Sequence, residues 1–131
     1  MSLLDALGDY LVTNSVGVLA STIFLTRMPD SPDVCVTLYE SQGAGATKTF
    51  GAGVTAVDVP RIRVLCRAGR NDYQVARAKA VDIRNLLGAV RKTTISGVGI
   101  LTILATSEVY PMGRDGDDRP IIGCDYSVWL S

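Results

Sequence analysis

From Pro60 to Arg67 apolar and polar positions alternate: Ile62, Val64 and Cys66 fall on one side, and Arg61, Arg63 and Arg67 on the other with Leu65 among them. A period of two is the signature of a half-buried β-strand. Ala68-Gly69-Arg70 then turns the chain, and the period changes to that of a helix. Ala76, Ala80, Ile83 and Leu87 make one apolar stripe, with Arg77, Arg84 and Asn85 largely off it. Asn71 is placed to cap that helix, with Asp72 in its first turn and Gln74 at N3. Gly88 suits its end, and Arg91 and Lys92 follow where cations complement the helix dipole. Val59 to Val90 is therefore predicted to be a strand–turn–helix spine, with the small alanines letting the helix sit close on its own strand.

The rest of the pattern is placed around that unit. Leu3, Leu4, Leu7 and Leu11 form a helical stripe with Ser2 as cap, ending near Asn14. Thr22 to Leu25 predicts a first strand and Val34 to Glu40 a second. Between them Pro29 and Pro32 enforce an irregular stretch, each removing a backbone donor and pushing its predecessor to an extended shape. Ser41 to Val54, rich in glycine and alanine, reads as a long mobile loop. Gly97 to Thr106 predicts a strand apolar on both faces, hence central in its sheet. Pro111 to Pro120 is a charged loop dense in turn formers, and Ile121 to Leu130 closes the chain as a strand with Ile122, Cys124, Tyr126 and Val128 on one face. The expected fold is α+β: a single domain over residues 1–131, a mixed sheet of about five strands, an N-terminal helix, and a longer crossover helix packed on the sheet. If strands 60–67 and 98–106 share that sheet in parallel, their crossover is expected to be right-handed.

Composition narrows the function classes. The chain has 131 residues, 47% of them hydrophobic, and its formal net charge is zero. That balance gives no electrostatic case for nucleic acid or an anionic membrane. No apolar run approaches the roughly 20 residues of a membrane span, and the N-terminus lacks the basic region of a signal peptide. Histidine is absent, which removes Ser-His-Asp triads, Cys-His dyads and histidine-based metal sites. Cys35, Cys66 and Cys124 are isolated from one another, each within a strand pattern, and are expected to be reduced core thiols.

Candidate chemistry is correspondingly thin. Gly43-Ala44-Gly45-Ala46-Thr47-Lys48 lacks the glycine that a phosphate loop places before its lysine, and no helix follows it. Asp115-Gly116-Asp117-Asp118 resembles part of a calcium loop, but the twelfth position is Tyr126 rather than glutamate, so a charged hairpin loop is the simpler reading. The carboxylates, lysines, tyrosines and thiols form no recognised catalytic set, so no enzyme, cofactor or metal site is predicted. The most suggestive residues are Arg61, Arg63 and Arg67. Three readings of that row stay open: a solvated face, a phosphate contact, or ion pairs to another subunit, for which Asp115, Asp117 and Asp118 on the same chain type are candidate partners. Gly43, Lys48 and Phe50 mark the loop as a candidate partner contact.

Four segments together resemble the minor capsid or tail terminator proteins of long-tailed bacteriophages: Ile23 to Asp33, Val59 to Ala68, the alanine-rich Asp72 to Ala80, and Gly113 to Pro120 leading into a final strand. The resemblance spans most of the chain and lies in the order and spacing of the segments. It implies an α+β structural protein of the virion, assembled in the host cytoplasm. It further implies a ring, a hexamer by the symmetry common in tail tubes, that caps the head-facing end of the tube and then meets the head connector. Its implied partners are copies of itself, the tail tube protein and the connector protein, with no membrane and no nucleic acid beyond passage of the genome. Alternatives are another head–tail joining protein, such as a connector-completion component, and a phosphate- or nucleic-acid-binding module using the arginine row.

Overall fold

The computed structural model describes residues 3–14, 16–17, 21–30, 32–41, 47–48, 56–57 and 59–130. Helix α1 (Leu3–Thr13) is followed by strands β1 (Ile23–Leu25), β2 (Cys35–Ser41), β3 (Thr47–Lys48), β4 (Ala56–Val57) and β5 (Arg61–Arg67). Then come α2 (Tyr73–Gly88), β6 (Arg91–Ile95), β7 (Val98–Ala105), β8 (Tyr110–Arg114) and β9 (Pro120–Leu130). The fold is α+β with a mixed sheet, as the sequence pattern predicts. The main sheet runs β1-β2-β5-β9-β7-β6, and β8 pairs with β9 beside β7. Every pairing is antiparallel except β1 with β2, which are parallel.

The long last strand organises this sheet. One edge of β9 pairs with β5 along its first two-thirds, while its other edge takes β8 near its start and β7 near its end. Strands β5 and β7 are parallel to each other, as antiparallel neighbours of one strand must be, but β9 lies between them. The inward residues are those the alternation picks out: Ile62, Val64 and Cys66 on β5, and Ile122, Cys124, Tyr126 and Val128 on β9, all buried. Against them α2 lays Ala76, Ala80, Ile83 and Leu87. Helix α1 touches β1 and β2 at one end of the sheet order and β6 at the other. The sheet therefore curls around α2, with α1 spanning the gap. Tyr10 Oη donates to the Leu86 carbonyl at 3.3 Å, and Ser96 Oγ to Asp9 Oδ2 at 3.0 Å, fixing α1 on both sides.

Several elements depart from the sequence reading. The cap of α2 is Asp72 rather than Asn71, and its side chain makes no capping bond. The reason is local: Asp72 N–H donates to the Gly69 carbonyl at 2.9 Å, closing a turn that delays the helix by one residue. Gly88 is still helical and Ala89 is the C-cap, while Arg91 Nη1 donates to the Gly88 and Val90 carbonyls, as the dipole argument requires of a cation there. Strand β6 begins at Arg91. Its exposed Arg-Lys-Thr-Thr run carries no apolar alternation, and the signal for its hairpin is Ser96-Gly97, both at positive φ (47° and 84°) in the two-residue turn to β7. The expected charged loop 111–120 contains β8, whose Pro111 and Gly113 argue against a strand, and the true loop is 115–119.

Strand β7 is not apolar-buried on both faces. Ile100 and Ile103 are buried, whereas Leu101 and Leu104 are 41% and 49% exposed. A register shift against β9 between Ile100 and Thr102 makes Leu101 an extra residue, and the shift restores the inward direction at Ile103. Of the loop predicted over 41–54, Thr47–Lys48 pair with Ala56–Val57 in a short antiparallel ladder. The candidate contacts Gly43 and Phe50 lie outside the described residues, as does the Ser2 cap.

All three cysteines are buried and free. Cys66 and Cys124 belong to the core between sheet and helices, and burial pushes the Cys66 thiol up to about 12. Cys35 faces the other side of the sheet. Burial raises its thiol as well, with Arg67 opposing the shift. Because the thiolate is the reactive form, thiol titration at neutral pH should find no fast-reacting group in the folded protein and three after unfolding in denaturant. A fast stoichiometric reaction before unfolding would contradict this burial.

Candidate functional site

The outer, convex face of the sheet is where the sequence-predicted residues lie. At the β8–β9 turn the sequence Asp115-Gly116-Asp117-Asp118-Arg119 builds its own geometry. Asp115 Oδ1 accepts the backbone N–H groups of Asp117 (3.0 Å) and Arg119 (2.9 Å). Asp115 N–H donates to the Arg119 carbonyl and Asp118 N–H to the Asp115 carbonyl. Asp118 sits at φ 61°, a left-handed position that aspartate tolerates.

This turn delivers Arg119, only 6% exposed, into a cage of acceptors. Its Nε donates to Asp115 Oδ2 at 2.8 Å. Its Nη1 donates to the Asp30 carbonyl and to Asp33 Oδ1 (3.1 Å), and its Nη2 to Asp30 Oδ1 (3.0 Å) and Asp117 Oδ2 (3.2 Å). Beside it Arg67, 3% exposed, donates from Nε to the Asp33 carbonyl (3.1 Å) and from Nη2 to the Pro32 carbonyl (2.7 Å). Its Nη1 lies 3.8 Å from Asp115 Oδ2. Arg70 and Arg114 tie the same turn down through backbone carbonyls: Arg70 Nε donates to Asp117 O, and Arg114 Nη1 to Arg70 O and Asp118 O. Pro29 and Pro32 each lack a backbone donor, and the carbonyls of Asp30, Pro32 and Asp33 in this connection serve as acceptors for Arg119 and Arg67.

Electrostatics follow the geometry. Burial works against the charge of Arg119, but hydrogen bonds to Asp33, Asp115 and Asp30 outweigh it and raise its pKa. Burial alone would raise the Asp115 carboxyl. The N–H groups of Arg119 and Asp117 and then the Arg119 guanidinium reverse that, holding it below the usual carboxylate range. The guanidinium of Arg119 stands at the centre of the carboxylates, and among the described residues no group of three or more acidic, cysteine or histidine side chains is arranged to hold a metal ion.

The six predicted interface residues are thus dispersed. Arg67 and Asp115 meet within one chain. Arg63 Nε donates to Asp125 Oδ1 at 2.8 Å directly across the β5–β9 ladder, a hydrogen bond that raises the Arg63 pKa. Asp117 reaches Arg119, and Asp118 lies 3.8 Å from Arg114 Nε with its side chain 70% exposed. Arg61 is exposed in the ladder between Ser41 and Ser127, and makes no ion pair with any described residue. Sequence reasoning missed Arg119, Asp30, Asp33 and Asp125. Arg119 lies 89 positions from Asp30, so no local pattern connects them.

The polar cluster ties the β1–β2 connection to the β8–β9 turn through Arg119 and Arg67. The sequence matches the family model of the bacteriophage tail terminator protein over residues 10–130, and the chain belongs to that family. Its fold is similar to a chain from a structure titled "Virion of native gene transfer agent (GTA) particle", with a TM-score of 0.67 and 15% identity, covering 98% of this chain and 94% of that one. No curated protein matches the sequence. The protein is a structural component of a bacteriophage tail.

The tie carries a pH signature. The folded pKa of Asp115 lies below its unfolded value of about 3.9, so its contribution is complete above that value and is lost as pH falls through the folded one. Urea midpoints should therefore fall between pH 5 and pH 3 (roughly the window set by the unfolded carboxylate) more steeply for the wild type than for Asp115→Asn. Arg119→Met should lower the midpoint at pH 7, since it removes the guanidinium whose N–H groups Asp115, Asp33 and Asp30 accept. Parallel pH curves for wild type and Asp115→Asn would remove Asp115 from the account.

Proposed function

We propose that the chain, acting as one domain over residues 1–131, assembles into a closed ring that caps the head-proximal end of the tail tube and joins it to the head connector. The observation that carries this reading is the tail terminator family match over residues 10–130. A subunit this small covers the end of a tube by repetition. A closed ring needs a heterologous contact, in which one face of each copy meets a different face of the next. The proposed partners are further copies of the chain, the tube protein and the connector protein, with a hexamer as the assembled state. Arg61, Arg63 and Arg67 on one side and Asp115, Asp117 and Asp118 on the other remain the proposed charged faces. Arg61 and Asp118 present their charge most openly, because Arg67 and Asp115 are engaged inside the subunit. The ladder holding Lys48 and the flanking Gly43 and Phe50 are the proposed contact with a further tail or head protein.

Light-scattering mass across protein concentration tests the ring. A step from one subunit to a discrete closed oligomer is expected, with sixfold projections in negative stain and no dependence on added DNA. Mass that stays at one subunit at every concentration would defeat the ring. Binding to random DNA that falls steeply with salt would instead favour a nucleic-acid module. Trypsin cleavage after Lys48 is expected to slow when the tube or connector protein is added to the ring, and an unchanged rate would remove that segment from the contact.

A further inference from the structure

At the end of the convex face remote from the arginine–aspartate tie, large apolar side chains stand open. Leu104 is 49% exposed and Trp129 37%. Leu104 pairs with Ser127 and Thr102 with Trp129, so Leu104 and Trp129 are diagonal neighbours on one face. Two cations flank them. Arg61 lies across Ser127 from Leu104, and Arg91 donates to Thr102 Oγ1 at 3.2 Å. Among the described residues neither arginine is ion-paired.

The opposite end of the same strand exposes carboxylates. The side chains of Asp30, Asp33, Asp117 and Asp118 are 91%, 65%, 62% and 70% exposed despite their bonds to Arg119 and Arg114. Asp30 and Asp117 line an open crevice of about 570 Å³ that also has Arg27, Met28 and Pro29 in its wall, and Asp33 lines the adjoining crevice with them. From Pro120 to Trp129 a strand rises roughly 30 Å. The two ends are held apart by β9 and cannot meet within one chain.

We infer that the apolar end of one copy, Leu104 and Trp129 flanked by Arg61 and Arg91, seats in the Met28–Pro29 crevice of the next copy, with the arginines facing its aspartate rim. This rests on the ring reading and specifies its contact. The apolar pair supplies the buried centre and the charges set the direction, which is how specificity and energy divide at protein interfaces. The contact is heterologous, so its repetition closes a ring or extends a filament. It also supplies an occupant for apolar side chains that the fold leaves in water.

The test uses the full chain carrying both Met28→Cys and Leu104→Cys, whose three native thiols are buried. A short thiol-to-thiol crosslinker should produce a ladder of covalent oligomers ending at the ring mass, whereas each single variant gives no ladder. Leu104→Lys, at a half-exposed site, should keep the subunit's thermal midpoint and raise the concentration needed for assembly about tenfold or more, the scale of a central interface residue. If the wild type forms rings but the double variant crosslinks no better than the singles, or Leu104→Lys assembles normally, this contact is wrong and the ring stands. If the wild type stays monomeric throughout, the ring reading fails and takes this contact with it.

Discussion

A guanidinium removed from water must be surrounded by acceptors, and Arg119 imposes that condition on two separate segments. Its partners are the Asp30 carbonyl and the Asp30 and Asp33 carboxylates of the β1–β2 connection, and the Asp115 and Asp117 carboxylates of the turn that precedes it. Burial of the charge is unfavourable by itself, and breaking one side of such a cluster costs more than the cluster contributes over an apolar substitute. The irregular residues between β1 and β2 have no ladder of their own, and the arginines give their carbonyls a single arrangement. Cys35 and Thr37 on the outer face are buried, and β1 lies parallel beside β2 across this short connection.

The far end of the sheet is arranged differently because β9 serves two neighbours on one edge. Strand β8 covers its start and β7 its end. Over the start, Met112 and Leu65 close on Gly123 so tightly that a Cβ there would lie 2.6 Å from Met112 Sδ and 3.0 Å from Leu65 Cδ2. Over the end nothing comparable is laid down among the described residues, and Leu104 and Trp129 stay open. One strand thus carries a sealed polar junction and an uncovered apolar patch, and its rigidity keeps them apart.

What the sequence made legible follows from how locally each feature is encoded. The spine from β5 through α2 was readable because period two gives way to period 3.6 within a few residues, and every stripe residue it named is buried. The inward face of β9 was readable for the same reason. Strand β6 was not, because an edge strand needs no alternation, and β8 was hidden by Pro111 and Gly113, which an edge position tolerates. The bulge at Leu101 reverses the facing of half a strand, and nothing in Ile100-Leu101-Thr102 announces it. The arginine row shows the limit most clearly. Its period was right, but whether Arg63 faces Asp125 or solvent depends on β9 pairing with β5, a contact between residues 62 positions apart. Arg67 likewise looked available for a partner only while the distant Asp33 and Asp115 were unplaced.

The sheet edges bear on how copies of such a subunit can associate. Strand pairing at an open edge is the easiest route to association, and also the one that leads to open-ended aggregation. Both ends of this sheet order resist it. Strand β1 is only three residues long. Strand β6 is polar, and Lys92 at φ 41° interrupts its ladder, so that Arg91 pairs with Thr102 and Thr93 with Ile100 while the residue between them is out of line. Helix α1, packed near both edges, narrows the approach further. With backbone pairing made unfavourable, association falls to side chains on the convex face. Side chains, unlike a repeating ladder, can carry direction. The same edges that would turn a tail component into a fibre are the ones this fold keeps short, charged and bent.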